Sequence, residues 1–174
     1  LNAITLSRIF CAILIYLILY LESNYSLALF LFFVASFSDF LDGYLARKTD
    51  SVSVLGEILE PIADKLLIVF ILIGLSINLD SFLIGFISAI IISREIWVAA
   101  LRDINSRNNQ SHKTRVTFLA KTKTAIQMLS ILMYLFGLII NNMMVLFFAD
   151  IVLIIALLIT IQTGFQYTIS TVKT

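Results

Sequence analysis

The chain has 174 residues, of which 60% are hydrophobic and 13% are charged, and its formal net charge is +1. A soluble domain is closer to half apolar and a quarter charged, so this composition excludes an ordinary soluble protein and indicates a membrane protein. One Pro and six Gly are few helix breakers for this length, and apolar residues do not alternate with polar ones. Long helices are therefore expected.

Six apolar stretches follow one another along the chain, at residues 4–21, 27–41, 66–79, 82–92, 125–140 and 143–163. A helix needs about 20 residues to cross the hydrocarbon core of a bilayer. The second, third and fourth stretches reach this length only if their helices continue into the polar segments 38–47, 56–65 and 93–102. Polar residues at membrane depth are tolerated only where they face the bundle interior or a wet cavity. We therefore predict an all-α membrane protein with six transmembrane helices, three of which line one polar cavity.

Basic residues are confined to one side of this predicted bundle. The connections at 22–26, 78–81 and 141–142 contain no Lys or Arg, and all twelve basic residues lie at the opposite helix ends. Lys and Arg concentrate on the cytoplasmic side of membrane proteins, so both termini and the polar cavity are expected to face the cytoplasm. The expected location is the cytoplasmic (inner) membrane.

The domain organisation is simple, because no linker or repeat divides the chain. Residues 1–174 are expected to form one domain, and residues 103–114 are expected to form its only long polar loop. Leu1 is not an initiator residue, so the native N-terminus is expected to lie further upstream.

Four carboxylates lie in the second and third predicted helices. Asp39 and Asp42 are three residues apart, and Glu60 and Asp64 are four apart, so each pair shares one face of its helix. An ionisable side chain in a membrane span costs at least a few kcal/mol and is a functional-site hypothesis by default. Two such faces packed together would form an oxygen cage for hard cations such as Mg2+ or Mn2+. Ion pairs that only fix helix packing are the alternative, and the regular spacing disfavours it.

This arrangement suits phosphoryl transfer. Divalent ions held by the first three carboxylates would neutralise phosphate oxygens, and Asp64 would serve as a general base near an entering hydroxyl. Gly43, Ala46 and Gly56 are small and leave room for a ligand to approach the backbone. Arg47 would pair with a phosphate or a carboxylate at the mouth of the cavity.

These residues resemble the signature of the CDP-alcohol phosphotransferase family. Residues 39–47 match its first half, an eight-residue spacer follows, and residues 56–64 match the second half except at Glu60, where the family has Asp. The resemblance implies an integral membrane enzyme with six transmembrane helices that displaces CMP from a CDP-linked donor with an alcohol. It also implies two divalent cations, Mg2+ or Mn2+, and a homodimer, since members are often dimeric.

Carried over by position, the resemblance implies a role for each matching residue. Metal binding is implied for four carboxylates, of which Asp64 is also the catalytic base: Asp39, Asp42, Glu60 and Asp64. Binding of the CDP donor is implied for residues of the same motif and of the N-x-x-T-x-x-R opening of the chain: Asn2, Thr5, Arg8, Asp42, Gly43, Ala46, Arg47 and Gly56.

Three further segments resemble the branch of the family whose acceptor is glycerol 3-phosphate: residues 93–102, 118–128 and 162–167. Arg94 and Arg102 are eight residues apart, about two helical turns, and share a helix face. With Lys121 and Lys123 at the start of the next helix, they are predicted to hold the acceptor phosphate by charge-assisted hydrogen bonds. Anchoring of helix ends at lipid headgroups is the alternative.

The expected partners follow from these assignments. CDP-diacylglycerol and glycerol 3-phosphate are the expected substrates, membrane lipid is the expected surrounding, and no nucleic acid is expected. An inositol-phosphate acceptor remains an alternative within the same chemistry. A divalent-cation transporter is the alternative from another class, although the outer half carries only Glu22, Asp80 and Asp150 as charged residues.

Overall fold

The computed structural model describes the backbone of residues 2–21, 24–49, 54–108 and 118–172, and the side chains of residues 5–21, 24–38, 59, 62–108 and 122–172. The described residues form six α-helices: α1 (Asn2–Leu21), α2 (Tyr25–Thr49), α3 (Val54–Asn78), α4 (Phe82–Arg107), α5 (Phe118–Ile139) and α6 (Met143–Val172). The predicted all-α class and the number of helices are confirmed.

Helices α2, α3 and α4 continue through the three polar segments, as predicted from their short apolar stretches. Helix α4 also continues further than expected, because residues 103–107 belong to its last turn and not to a loop. Arg107 donates to Asp103 one turn earlier in an exposed ion pair of 2.7 Å, and a cation in the last turn also favours the helix dipole. The prediction of a loop beginning at residue 103 was therefore wrong.

The three connections without basic residues are short and are closed by polar caps. Asn24 accepts from the backbone N–H of Leu27, Ser81 accepts from that of Ile84, and Asn142 accepts from that of Met144. Each cap satisfies a backbone donor at the start of α2, α4 or α6 that has no partner within the helix. These turns make α1–α2, α3–α4 and α5–α6 consecutive antiparallel pairs.

The apolar core is centred on α3, which packs against α1 and α5. Fully buried aliphatic side chains from the three helices form one cluster, including Ile15, Leu19, Leu67, Ile71 and Ile131. Gly74 allows the close approach of α1, because a Cβ at this position would lie 3.1 Å from Leu19 Cδ1. This core fixes α3 against α1 and α5 and so fixes the depth of the polar residues on α3.

The outer surface of the bundle is apolar, with large exposed side chains such as Phe10, Phe30, Phe82 and Leu158. In the part of the chain that the structure describes, three helical segments are long and apolar enough to span a membrane: Phe82–Arg107, Thr122–Ile139 and Met143–Val172. An apolar surface against lipid and polar groups inside are the pattern of an all-helical membrane protein.

Candidate active site at the basic ends of the helices

Asp64 on α3 is held by a buried arginine from α1. The Arg8 side chain is fully buried, and its Nη1 donates to Asp64 Oδ1 at 2.6 Å. The Asp64 side chain is 37% exposed, so the carboxylate is held by a buried guanidinium and is still partly accessible. A charge-assisted hydrogen bond of this length fixes the orientation of the carboxylate. Arg8 and Asp64, predicted separately as donor-binding and catalytic residues, therefore lie together.

The next residue on α3, Lys65, faces another helix. Successive residues of a helix point about 100° apart, so Asp64 meets α1 while Lys65 Nζ lies 3.7 Å from Glu95 Oε2 on α4. The pair Asp64–Lys65 thus joins the arginine–carboxylate pair to a second cluster of charges.

Glu95 is the centre of that second cluster. Its carboxylate accepts from Arg94 Nη1 at 2.9 Å and from Lys123 Nζ on α5, and it forms the longer ion pair with Lys65. Both hydrogen-bonded cations are nearly buried, with side-chain exposures of 9% for Arg94 and 7% for Lys123. The structure therefore brings together two predicted acceptor residues, Arg94 and Lys123, around a carboxylate that was not predicted as a site residue.

Arg94 is also fixed to α6. Its Nε donates to the Thr160 carbonyl at 3.2 Å and its Nη2 donates to Thr163 Oγ1 at 2.8 Å. Gly164 provides the space for its stem, since a Cβ there would lie 3.2 Å from Arg94 Cγ. All three guanidinium nitrogens thus donate hydrogen bonds within the protein, and these bonds fix the orientation of Arg94 before a ligand binds.

Tyr167 connects Arg94 with Arg102. Its buried ring lies between the two guanidinium groups, with the Cζ of Arg94 5.7 Å and that of Arg102 5.6 Å from the ring centroid. Both distances are within the range of cation–π contacts. Arg102 is exposed, so it offers donors at the surface while Arg94 lies deeper. The predicted common face of these two arginines is confirmed, and Tyr167 is the ring that they share.

Several predicted site residues have side chains outside the described residues. They are Asn2, Asp39, Asp42, Gly43, Ala46, Arg47, Gly56, Glu60 and Lys121, which lie on helical backbone of α1, α2, α3 and α5. The backbone of α2 is continuous through the first carboxylate pair, and that of α3 is continuous through the second. The helical spacing on which the predicted metal cage depends is therefore present.

The donor set itself fits divalent cations. Four carboxylates supply only oxygen, which is the ligand that Mg2+ and Mn2+ prefer. The one member with a described side chain, Asp64, is a third exposed and is held by Arg8. The chemistry of these residues therefore fits such ions.

Sequence reasoning missed Lys65, Glu95 and Tyr167 as members of the site. Lys65 and Glu95 each adjoin a residue that had been identified, but spacing along one helix does not reveal a contact between helices. Tyr167 lies in the segment 162–167, which had been compared with relatives only as a whole. For Lys65 and Glu95 the available signal was a charged residue next to a predicted site residue at membrane depth, and for Tyr167 it was an aromatic residue in a segment that resembles the family.

Comparison with known proteins identifies the family of this chain. Residues 2–162 match the CDP-alcohol phosphatidyltransferase family. A protein of Rickettsia bellii named CDP-diacylglycerol--glycerol-3-phosphate 3-phosphatidyltransferase is 37% identical over 169 residues, covering 95% of this chain and 91% of the relative. A Haemophilus influenzae protein of the same name is 36% identical over 149 residues, covering 84% of this chain and 78% of the relative. The chain therefore belongs to the CDP-alcohol phosphatidyltransferase family.

Proposed function

We propose that this protein transfers the phosphatidyl group of CDP-diacylglycerol to glycerol 3-phosphate, giving phosphatidylglycerophosphate and CMP in phospholipid biosynthesis. The observation that carries the proposal is the match to relatives named for this reaction, four of which cover 95% of the chain. Those names favour neither an inositol-phosphate acceptor nor a cation transporter. The cluster of cations at the basic ends of the helices supports an anionic acceptor.

In the proposed reaction a hydroxyl oxygen of the acceptor bonds to the phosphorus that carries diacylglycerol, and the bond from this phosphorus to the CMP oxygen breaks. The hydroxyl proton passes to the Asp64 carboxylate as general base. The hydrogen bond from Arg8 supports this role, because it keeps one carboxylate oxygen fixed while the side chain remains a third exposed. A base held in one orientation loses less entropy on reaching the reactive geometry.

The metal ligands that we propose are Asp39, Asp42, Glu60 and Asp64. Two divalent cations, Mg2+ or Mn2+, would neutralise the phosphate oxygens of the donor when bound. The residues that we propose for the CDP group are Asn2, Thr5, Arg8, Asp42, Gly43, Ala46, Arg47 and Gly56. Burial of Thr5 and Arg8 on the inner face of α1 supports a role inside the cavity.

For the acceptor phosphate we propose Arg94, Arg102, Lys121 and Lys123. Support comes from the positions of three of them, since Arg94, Arg102 and Lys123 are linked through Tyr167 and Glu95 at one end of the bundle. Hydrogen bonds from cations to a phosphate are stronger than those between neutral groups. A neutral alcohol such as glycerol would lack this attraction.

The proposed membrane placement follows from the charge asymmetry. All six helices would cross the cytoplasmic membrane as one domain, with both termini and the active site facing the cytoplasm. The donor lipid would keep its acyl chains in the cytoplasmic leaflet while its CDP group enters the cavity. A homodimer is part of the proposal on family grounds.

The test is acceptor-dependent CMP release by the purified protein in detergent, with CDP-diacylglycerol and Mg2+. Three matched reactions contain glycerol 3-phosphate, inositol phosphate or no acceptor. We expect release to depend on glycerol 3-phosphate and to stop when a chelator removes the divalent cations. Release supported by inositol phosphate instead would contradict the proposed acceptor, and no release in any reaction would contradict the proposed enzyme.

A further inference from the structure

Glu95 is an acidic residue at the centre of a site that we propose for an anion. Its carboxylate contacts cations from three helices: Lys65 from α3, Arg94 beside it on α4, and Lys123 from α5. We propose that Glu95 is a positioning residue that holds Arg94 and Lys123 in the arrangement that binds the acceptor phosphate. This inference rests on the proposed function and adds to it a residue that does not itself touch the substrate.

Arg94 and Lys123, the two cations that Glu95 positions, differ in their other contacts. Arg94 is anchored independently by Thr160 and Thr163 on α6. Among the described residues, Lys123 has Glu95 as its only ion-pair partner. Its long side chain has many rotamers, and ordering such a chain costs about 1.5–2 kcal/mol of entropy. Glu95 therefore connects Lys123 to the independently anchored Arg94, and the direction of the Lys123 ammonium depends on this contact.

The charge of the cluster supports the same role. Lys65, Arg94 and Lys123 with Glu95 give three positive charges and one negative charge, so the cluster carries +2. Without Glu95, three cations would face each other at a nearly buried point, and repulsion would spread them apart. The carboxylate thus lets the cations remain close together before the phosphate binds.

A purely structural salt bridge is the competing explanation, and it predicts a different result. Helix α4 is held in the bundle without Glu95, because it is joined to α6 by hydrogen bonds of Arg94 and Asn105 and packs into the apolar core through Ile84, Ile87 and Ile91. Loss of Glu95 should therefore change the acceptor site more than the fold. A structural role would lower the thermal stability and the turnover number together and would not distinguish the two substrates.

The experiment compares Glu95→Gln, which keeps the shape but removes the charge, with Glu95→Asp and with Asp103→Asn. Asp103 lies on the same helix in an exposed pair with Arg107, so its variant is the matched control for loss of one carboxylate. CMP release is measured while glycerol 3-phosphate is varied at saturating CDP-diacylglycerol, and then in the reverse arrangement. Thermal unfolding is followed in the same detergent.

For Glu95→Gln we expect the KM for glycerol 3-phosphate to rise about tenfold or more, since hydrogen bonds to charged groups are involved. The KM for the donor and the midpoint of unfolding should stay close to wild type, and Glu95→Asp should give an intermediate acceptor KM. Asp103→Asn should have wild-type KM values for both substrates and a wild-type midpoint of unfolding.

An unchanged acceptor KM in Glu95→Gln, with wild type still dependent on glycerol 3-phosphate, would overturn this inference and leave the proposed function intact. An equal rise in the KM for both substrates, together with a lower midpoint of thermal unfolding, would also overturn it. If Glu95→Gln does not fold, Glu95→Asp decides, because a wild-type acceptor KM in that variant would contradict the inference. Wild-type protein that ignores glycerol 3-phosphate would overturn the proposed function itself.

Discussion

Replacement of Asp64 by Asn separates chemistry from packing, because the amide keeps the shape of the carboxylate and can still accept from Arg8. Loss of a general base costs about 10²–10⁴-fold in rate, which is roughly 3–5 kcal/mol of transition-state stabilisation. Breaking a fully buried ion pair costs about 3–5 kcal/mol, because the remaining charge is left without compensation. Here the amide still accepts from the buried Arg8 and the 37% exposed side chain of Asp64 is partly screened by solvent, so the loss of stability should stay below about 3 kcal/mol.

The assay for Asp64→Asn is CMP release in single-turnover and steady-state reactions, with thermal unfolding and equilibrium binding of CDP-diacylglycerol measured on the same preparation. We expect turnover to fall by at least about a hundredfold, with donor binding largely intact. The control is Asp103→Asn, which makes the same chemical change in the exposed pair on α4. If Asp64→Asn keeps more than about a tenth of the rate, Asp64 is not the base and the proposed mechanism is wrong.

Three other predictions use the same assay. Arg94→Ala should raise the KM for glycerol 3-phosphate about tenfold or more; a rise confined to the donor KM would mean that the two pockets are reversed. Gly164→Ala places a Cβ 3.2 Å from Arg94 Cγ and should displace the guanidinium. The KM for glycerol 3-phosphate should then rise about two- to tenfold because the hydrogen bonds of Arg94 to the phosphate weaken. Wild-type kinetics would contradict the proposed role of Arg94 in acceptor binding. Glu60→Asp restores the family residue and shortens the side chain by about one C–C bond, ~1.5 Å. It should reach half-maximal rate at equal or lower Mg2+, and a several-fold higher Mg2+ requirement would contradict this expectation.

The helices could be predicted from sequence because their signals are local. Long apolar runs and turns without Lys or Arg indicated six helices, and the short second, third and fourth runs indicated that polar segments continue the helices. The end of α4 was misjudged because residues 103–107 are polar, and polarity alone does not distinguish a loop from an exposed helical turn. The ion pair between Asp103 and Arg107 was the available sign of a helix.

The contents of the candidate site could be predicted only where residues share one helix. The spacing of Arg94 and Arg102 placed them on one face, and the structure confirms this through Tyr167. The meeting of Glu95 with Lys123 joins residues 28 positions apart on two helices, and no periodicity along the chain encodes such a contact. It depends on how α4 and α5 pack in the bundle, which is a property of the whole fold.

The pairing of Arg8 with Asp64 was missed for the same reason. The two residues are 56 positions apart, and each was assigned a different role from its own motif, donor binding for Arg8 and catalysis for Asp64. Burial of an arginine requires a partner, because an unpaired charge away from water is costly. That rule predicts that Arg8 has a carboxylate near it but not which one.

The most direct test of the proposed function is to follow the acceptor into the lipid product. Purified protein receives glycerol 3-phosphate labelled with ¹⁴C, CDP-diacylglycerol and Mg2+, and both the chloroform-soluble label and the released CMP are measured. We predict that the two amounts are equal and that the labelled lipid has the mass of phosphatidylglycerophosphate. Release of CMP without label in the lipid would mean that water and not glycerol 3-phosphate accepts the phosphatidyl group, and this would contradict the proposed function.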